Sequence, residues 1–196
     1  KKIEAVPQGM ARVEDLRIAI LGGSTTDFLE IPLKLELETL GRASTVFCAD
    51  FNNYVPELLE ANSKAAAFRP NVAVVLVTPH NIADWPAVGD SPEVVQALVD
   101  RVSDHWLGLC ETFHGHTNCE IVLSNLHLLA TRAAGNLGTK LPWDQNSFLR
   151  QINVTLSRKA PTYVHILDIE TLSAIYGISN WFDPRFWYHA KQPVSF

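Results

Sequence analysis

The sequence is poor in the residues that mark several classes of protein. Its 196 residues include only three cysteines and one methionine. The cysteines, Cys48, Cys110 and Cys119, are odd in number and irregularly spaced, which argues against a disulfide framework and is typical of a reducing compartment. We therefore expect a cytoplasmic protein, in which the glycosylation sequon that begins at Asn153 is a chance occurrence.

The chain also lacks a surplus of positive charge and a long apolar run. Sixteen basic residues against 21 acidic residues give a net charge of −5, so we expect no nucleic-acid partner and no membrane association. Its apolar runs, such as Val72–Val77, are much shorter than the roughly 20 residues that a membrane-spanning helix needs. With 47% hydrophobic and 19% charged residues, residues 1–196 are predicted to form one globular domain.

Apolar runs of strand length alternate along the chain with segments of helical period. Val72–Val77 is continuous rather than alternating, which is typical of a strand covered on both faces. The predicted strands are Leu16–Leu21, Thr45–Ala49, Val72–Val77, Ile121–Ser124 and Tyr163–Leu167, and the predicted helices are 28–40, 55–68, 91–113, 142–159 and 171–176. This alternation predicts a three-layer α/β fold, with a five-stranded parallel sheet in the flavodoxin-like order 2-1-3-4-5 and helices on both faces.

The turn after the first predicted strand carries two glycines followed by a cluster of hydroxyl groups. Its sequence is Gly22-Gly23-Ser24-Thr25-Thr26-Asp27. In a parallel α/β sheet such a turn lies at the carboxyl edge, where ligands bind. Ser24 is then either a nucleophile beside an oxyanion hole or part of a phosphate-binding turn. A purely structural interpretation is that Ser24 or Thr25 caps the helix that follows.

Polar side chains follow each of the five predicted strands. They are Ser24 to Asp27 after the first, Asp50, Asn52 and Asn53 after the second, His80 and Asn81 after the third, Asn125 and His127 after the fourth, and Asp168 after the fifth. Helix caps and loops account for some of them. Hydroxyl, amide and imidazole groups together, however, are the catalytic groups that acyl-transfer enzymes use. Two long connections, 80–90 and 127–141, leave the same edge and predict a functional cleft there.

The glycine–serine turn resembles the Gly-Asp-Ser-x-Thr-Asp block of SGNH (GDSL-type) hydrolases, with Gly23 in place of the family's aspartate. A larger part of the chain resembles the amino-terminal, SGNH-like domain of FkbH-like proteins. The stretches that carry this second resemblance run in family order: Ile20–Leu29, Tyr54–Leu59 with Ser63, Phe68–Val72, Gln151–Asn153, Leu167–Gly177 and Trp181–Ser195.

The resemblance implies a place in polyketide-type biosynthesis. FkbH-like proteins set an SGNH-like domain before a haloacid-dehalogenase-type domain, and family members load glyceryl units from a phosphorylated three-carbon precursor onto acyl carrier proteins. The Asp-x-Asp motif of the dehalogenase-type domain is absent from this sequence. We therefore expect a domain excised from a longer protein, with the dehalogenase-type domain and an acyl carrier protein as partners and with no cofactor.

The resemblance to SGNH hydrolases also implies roles for individual residues. The implied catalytic residues are Ser24, His189 and Asp183, and the implied oxyanion or substrate-binding residues are Gly23, Asn53, His80 and Asn81. The family's aspartate stands three residues before its histidine, whereas Asp183 stands six residues before His189. The family's Gly-x-Asn-Asp block is replaced by the sequence 78–81. Two expectations follow: an ester or thioester hydrolase or acyltransferase that acts through Ser24, or a non-catalytic docking domain of the same fold.

Two other clusters have plainer interpretations. Glu111, His114, His116 and Cys119 lie between a helix and a strand at the opposite edge of the predicted sheet, so we interpret them as a connecting turn and expect no metal site. The aromatic run in 181–188 is interpreted as a closing segment that packs over the sheet.

Overall fold

The computed structural model describes residues 15–195, so residues 1–14 and Phe196 of the predicted domain lie outside the described part of the chain. The described residues contain a five-stranded parallel sheet in the order β2-β1-β3-β4-β5. Its strands are β1 (Leu16–Gly22), β2 (Ser44–Cys48), β3 (Val72–Leu76), β4 (Glu120–Ser124) and β5 (Val164–Leu167). The predicted α/β fold class and strand order are confirmed.

Helices occupy every connection between the strands, and three more follow β5. They are α1 (Glu30–Thr39), α2 (Tyr54–Leu59), α3 (Lys64–Ala67), α4 (Pro92–Thr117), α5 (Gln145–Lys159), α6 (Ile169–Tyr176), α7 (Ile178–Trp181) and α8 (Pro184–Ala190). Three short 3₁₀ helices lie at Asp27–Leu29, Pro79–Asn81 and Gly135–Lys140. Within residues 15–195, none of the helices is both long and apolar enough to cross a membrane.

The longest helix, α4, shows how local signals set the bounds of an element. Ser91 accepts a hydrogen bond from the amide of Val94, and Pro92 occupies the first helical position, where its missing N–H costs nothing. Asn118 ends the helix in the left-handed conformation, with φ of 56°. The apolar stripe of α4 packs into the core, and Trp106 and Phe113 are among its largest fully buried side chains.

Two predicted helices differ from those in the structure because side-chain caps interrupt them. The predicted helix 55–68 is two helices, since Ser63 accepts a hydrogen bond from Ala66 and starts α3 afresh. The predicted helix 142–159 begins only at Gln145, because the carboxylate of Asp144 accepts hydrogen bonds from the next turn.

The two sides of the sheet are covered unequally. Fully and partly buried residues alternate along β3, whereas a strand covered equally on both faces would be buried throughout. Helix α1 has no fully buried residue, and its Ile31 and Leu35 are exposed. The predicted cover of Val72–Val77 on both faces is confirmed, since none of these residues is exposed, but the layer over one face is packed more lightly.

Candidate functional site

The turn after β1 is tightly packed against the segment that follows β3. The amide of Gly23 donates to the carbonyl of Leu76 at 3.2 Å, and Asn81 Nδ2 donates to the carbonyl of Gly23 at 3.3 Å. A Cβ atom added at Gly23 would lie 1.9 Å from Asn81 Nδ2. A side chain at position 23 would therefore displace the Asn81 amide from its place against this turn.

Ser24 is sealed beneath other side chains. It is 1% exposed, and its Oγ has no hydrogen-bond partner among the described residues. The neighbouring Thr26 is 2% exposed, and its Oγ1 is also without a partner there. No described imidazole therefore hydrogen-bonds to the predicted nucleophile, which is the contact that an activated serine requires.

Neither Ser24 nor Thr25 caps a helix, so the purely structural interpretation of this turn is wrong. The 3₁₀ helix that precedes α1 is preceded by Thr26, which makes no capping hydrogen bond through its side chain. Thr25 instead binds the end of α8: its amide donates to the carbonyl of Lys191 at 3.0 Å and its Oγ1 to that of Ala190 at 2.6 Å. The carboxyl-terminal segment therefore reaches the β1 turn through backbone contacts.

The structure places the predicted acid and base of the triad in different environments. Asp183 caps α8 by accepting from the amide of Arg185, whose guanidinium also binds both of its carboxylate oxygens. The Arg185 hydrogen bonds hold the pKa of Asp183 below its usual range. His189 lies exposed on α8, and within residues 15–195 it donates no hydrogen bond to Asp183, whose carboxylate accepts from Arg185. The expected Asp183–His189 pair is replaced by an Asp183–Arg185 pair, because a side chain two residues away is the nearer partner.

Asn81 is held in a turn that occupies most of its amide group. Its Oδ1 accepts from the amide of Thr78 at 2.8 Å and from Thr78 Oγ1 at 3.1 Å. Because Nδ2 also donates to Gly23, the group contributes to the packing of the β1 turn. Asn53 lies at the start of α2, and its Nδ2 donates to Glu57 Oε1 at 3.4 Å. Both amides therefore stabilise turns in this structure, and their predicted role toward an oxyanion stays a prediction.

Two histidines lie under the aromatic closing segment. The ring of His80 stacks on that of Trp187 with centroids 3.9 Å apart, and it lies 5.1 Å from that of Phe182. Partial burial, with a smaller contribution from the Lys191 ammonium, lowers the pKa of His80. His127 is 5% exposed and lies 6.4 Å from the Phe182 ring. Burial, reinforced by the neighbouring His80, lowers the pKa of His127 to about 4, so this imidazole is neutral at pH 7.

Other polar residues after the strands hold the scaffold together. Asn125 Nδ2 donates to Asp168 Oδ1 at 2.9 Å, and Asp168 caps α6. The side chain of Asn153 binds both the amide and the carbonyl of Leu126. The buried Asn153 amide is therefore committed to the loop after β4, in agreement with the interpretation of its sequon as a chance occurrence.

The cavity that the long second loop forms does not include the predicted nucleophile. It measures about 380 Å³ and lies against the loop 127–141, with Leu129, Arg132, Arg150 and Ile178 in its lining. Ser24 does not line it. This cavity therefore lies beside the second long loop and apart from the glycine–serine turn, and the functional cleft expected under both loops stays a prediction.

The cluster at the opposite edge of the sheet lies mostly in α4, since that helix runs on to Thr117, and the predicted connecting turn is limited to the residues between Thr117 and β4. His114 Nδ1 lies 2.8 Å from the carbonyl of Cys119, and the His114 ring stacks on Tyr163 with centroids 3.8 Å apart. Burial raises the pKa of the Cys119 thiol, which keeps it protonated. Across residues 15–195, no three His, Cys, Asp or Glu side chains are grouped so as to hold a metal ion.

Comparison with known proteins decides the family. Residues 17–196 match the protein family described as FkbH, N-terminal domain. The chain belongs to this family. The match to the FkbH N-terminal domain family includes all five strands and the closing segment. It confirms the family that the glycine–serine turn and the carboxyl-terminal residues predicted.

Solved structures place the fold in a wider group. The FkbH N-terminal domain described here is similar to the N-terminal part of the protein BF1531 from Bacteroides fragilis, with a TM-score of 0.77 and 20% identity. That structure contains a phosphatase domain and is complexed with Mg. That match covers 92% of this chain and 47% of the other, so the present chain spans about half of BF1531's solved part. An acetyl xylan esterase, AlAXEase, is similar at a TM-score of 0.55 and 12% identity, with 92% of each chain covered.

These likenesses concern the fold alone, because both identities are low. No curated protein matches the sequence.

Proposed function

We propose that this chain is a non-catalytic docking domain of an FkbH-like biosynthetic protein. In the reaction implied by the family resemblance, a glyceryl unit is loaded onto an acyl carrier protein, and this domain holds a neighbouring domain or the carrier in place. The observation that supports the proposal is the state of Ser24, whose Oγ is buried without a hydrogen-bond partner in the described residues. A serine nucleophile needs a base within hydrogen-bond reach.

The other parts expected of a hydrolase support the same proposal. The carboxylate of Asp183 is bound to Arg185, and His189 faces solvent. Asn81 uses its amide to pack the β1 turn. The Asp183 carboxylate and the Asn81 amide thus have structural partners in place of catalytic ones, which supports a domain that keeps the fold without hydrolase chemistry.

A serine-reactive fluorophosphonate probe tests the proposal directly. The 196-residue chain is incubated with the probe beside its Ser24→Ala variant and an active serine esterase. We expect labelling of the esterase and none of either form of the chain. Labelling that disappears in Ser24→Ala would overturn the proposal, because it would demonstrate an activated hydroxyl at that position.

A second function, hydrolysis or transfer of an ester or thioester through Ser24, is favoured by one observation. Buried polar atoms without partners are rare in proteins, and Ser24 and Thr26 provide two of them in one turn. Displacement of α8, whose end binds Thr25, would open this turn to a substrate. The Trp187→Ala variant tests it, since loosening α8 would then produce Ser24-dependent fluorophosphonate labelling that the unmodified chain lacks.

A further inference from the structure

Helix α6 has its apolar side turned outward. Ser173 is its one fully buried residue, while Leu172, Ile175 and Tyr176 are exposed, Ile175 by 79%. A helix at the surface of a globular protein ordinarily shows the opposite pattern, with apolar residues inward and polar residues in water. The inversion indicates that α6 presents a surface to a partner, because clustered exposed apolar side chains mark interaction sites.

Polar contacts on the inner side fix this orientation of α6. Glu170 Oε2 accepts from Asn153 Nδ2 at 2.7 Å, and the amide of Glu170 donates to Asn125 Oδ1 at 2.9 Å. Asp168 caps the helix through Thr171. A rotation of α6 that buried Ile175 would break these hydrogen bonds and leave buried polar groups unpaired. The free energy lost in this way exceeds the free energy gained by burying Ile175. These contacts therefore hold the apolar face of α6 at the protein surface.

The end of the described chain lies beside this face. The ring of Tyr176 meets that of Trp181 edge-on, with centroids 6.3 Å apart. Ser195 is bound to the same helix α7, since its amide donates to the carbonyl of Trp181 at 2.9 Å and its Oγ contacts that of Asn180. A polypeptide segment that follows Ser195 would start next to α6.

We infer that the apolar face of α6, formed by Leu172, Ile175 and Tyr176, docks a second folded domain of the same polypeptide. The inference rests on the proposed docking function and names the surface that carries it. The occupant is a phosphatase-type domain, because in BF1531 the part similar to this chain is 47% of a chain whose description includes a phosphatase domain. A domain tethered next to α6 meets the face at high effective concentration, so a small apolar patch suffices to hold it.

Helix α1 offers a matched comparison. Its Ile31 is 70% exposed, close to the value for Ile175, but α1 packs beside β2, at the other edge of the sheet from β5 and α6. Ser195, the last described residue, is bound to α7, and α7 packs against α6. Ile31 therefore serves as the control for Ile175.

Hydrogen–deuterium exchange tests the inference. The gene is read past the codon for Phe196, and the complete polypeptide is compared with the chain that ends at Phe196. We expect the amides of 172–176 to exchange about tenfold more slowly in the complete polypeptide. Ile175→Asp should remove this protection and Ile31→Asp should leave it unchanged, while both variants of the shorter chain keep the parent's thermal midpoint. If Ile175→Asp unfolds the shorter chain, Tyr176→Ser takes its place.

Three results would overturn the inference. They are equal exchange at 172–176 in the two polypeptides, protection that appears only as concentration rises (a second copy on the face), and a gene that ends at Phe196. Ser24-dependent labelling by the fluorophosphonate probe would overturn the proposed function instead, and it would leave protection at α6 as measured. The two failures are therefore distinguishable.

Discussion

The imidazole of His80 lies flat against the indole of Trp187, with ring centroids 3.9 Å apart and an angle of 14° between the planes. This stack joins the segment after β3 to α8, and it lies next to the hydrogen bonds between Thr25 and the end of α8. The closing segment is thus held at two adjoining points over the carboxyl edge of the sheet. Its removal would break the hydrogen bonds to Thr25, the residue next to the buried Ser24.

Loss of the stacked indole should loosen the closing segment. We expect Trp187→Ala to lower the free energy of unfolding by about 2 kcal/mol, since a partly buried aromatic side chain and its stacking contact are removed. The adjacent Tyr188 is 76% exposed, so Tyr188→Ala is the control and should change the free energy of unfolding by less than about 0.5 kcal/mol. Urea titration measures both, and equal losses for the two variants would contradict the role of the stack.

Alanine at position 23 should be poorly tolerated. The added Cβ would lie 1.9 Å from Asn81 Nδ2, so Gly23→Ala is expected to lower the free energy of unfolding by about 2 kcal/mol or more. Gly108 lies in α4 with nothing within 4 Å of an added Cβ, and Gly108→Ala should stabilise the chain by about 1 kcal/mol. In the double variant Gly23→Ala/Asn81→Ala the losses should be less than additive, because the clash is gone. Strictly additive losses in urea titrations would count against the clash.

Replacement of the buried serine should stabilise the protein. Ser24→Ala removes a hydroxyl that has no partner, and we expect the free energy of unfolding to rise by about 1 kcal/mol. Ser63 is also buried, but its Oγ donates to the carbonyl of Glu57 at 2.7 Å and accepts from the amide of Ala66. Ser63→Ala should therefore lower the free energy of unfolding by about 1 kcal/mol. Thermal and urea unfolding measure both variants. A loss in Ser24→Ala as large as that in Ser63→Ala would show that the Ser24 hydroxyl makes a stabilising interaction.

Stability should fall in mild acid because of His127. Its pKa is near 6.5 in the unfolded chain and about 4 in the folded chain, so the unfolded state binds more protons between those values. The free energy of unfolding therefore decreases as pH falls from about 6.5 to 4, by about 3 kcal/mol in total. His127→Gln should flatten that part of the curve, because it removes the buried imidazole. A curve that is the same for the parent and His127→Gln would contradict the prediction.

The parallel sheet could be predicted because its signals are local. The apolar run in β3 and the glycine turn after β1 lie in consecutive residues, and alternation with helices leaves the parallel sheet as the consistent arrangement. Helix bounds were less accurate where one side chain acts as a cap. Ser63 and Asp144 each redefine a helix start through a bond that residue type alone permits but does not require.

The candidate site could be predicted only in part. Residue types correctly located the glycine–serine turn, Asn81 and His80 at one edge of the sheet, since the ends of parallel strands meet there. They did not predict that Asp183 would pair with Arg185 or that His127 would be the buried imidazole. Those outcomes depend on which of several nearby partners a side chain meets after packing.

The amino-acid sequence by itself determined the α/β architecture, the strand order and the family, because periodicity, turn residues and motifs are properties of neighbouring positions. Only the tertiary structure decided that Ser24 is sealed, that His189 faces solvent and that α6 turns Ile175 outward. Burial and pairing are set by surfaces that are remote in sequence and meet only in the folded chain, so short-range patterns cannot specify them.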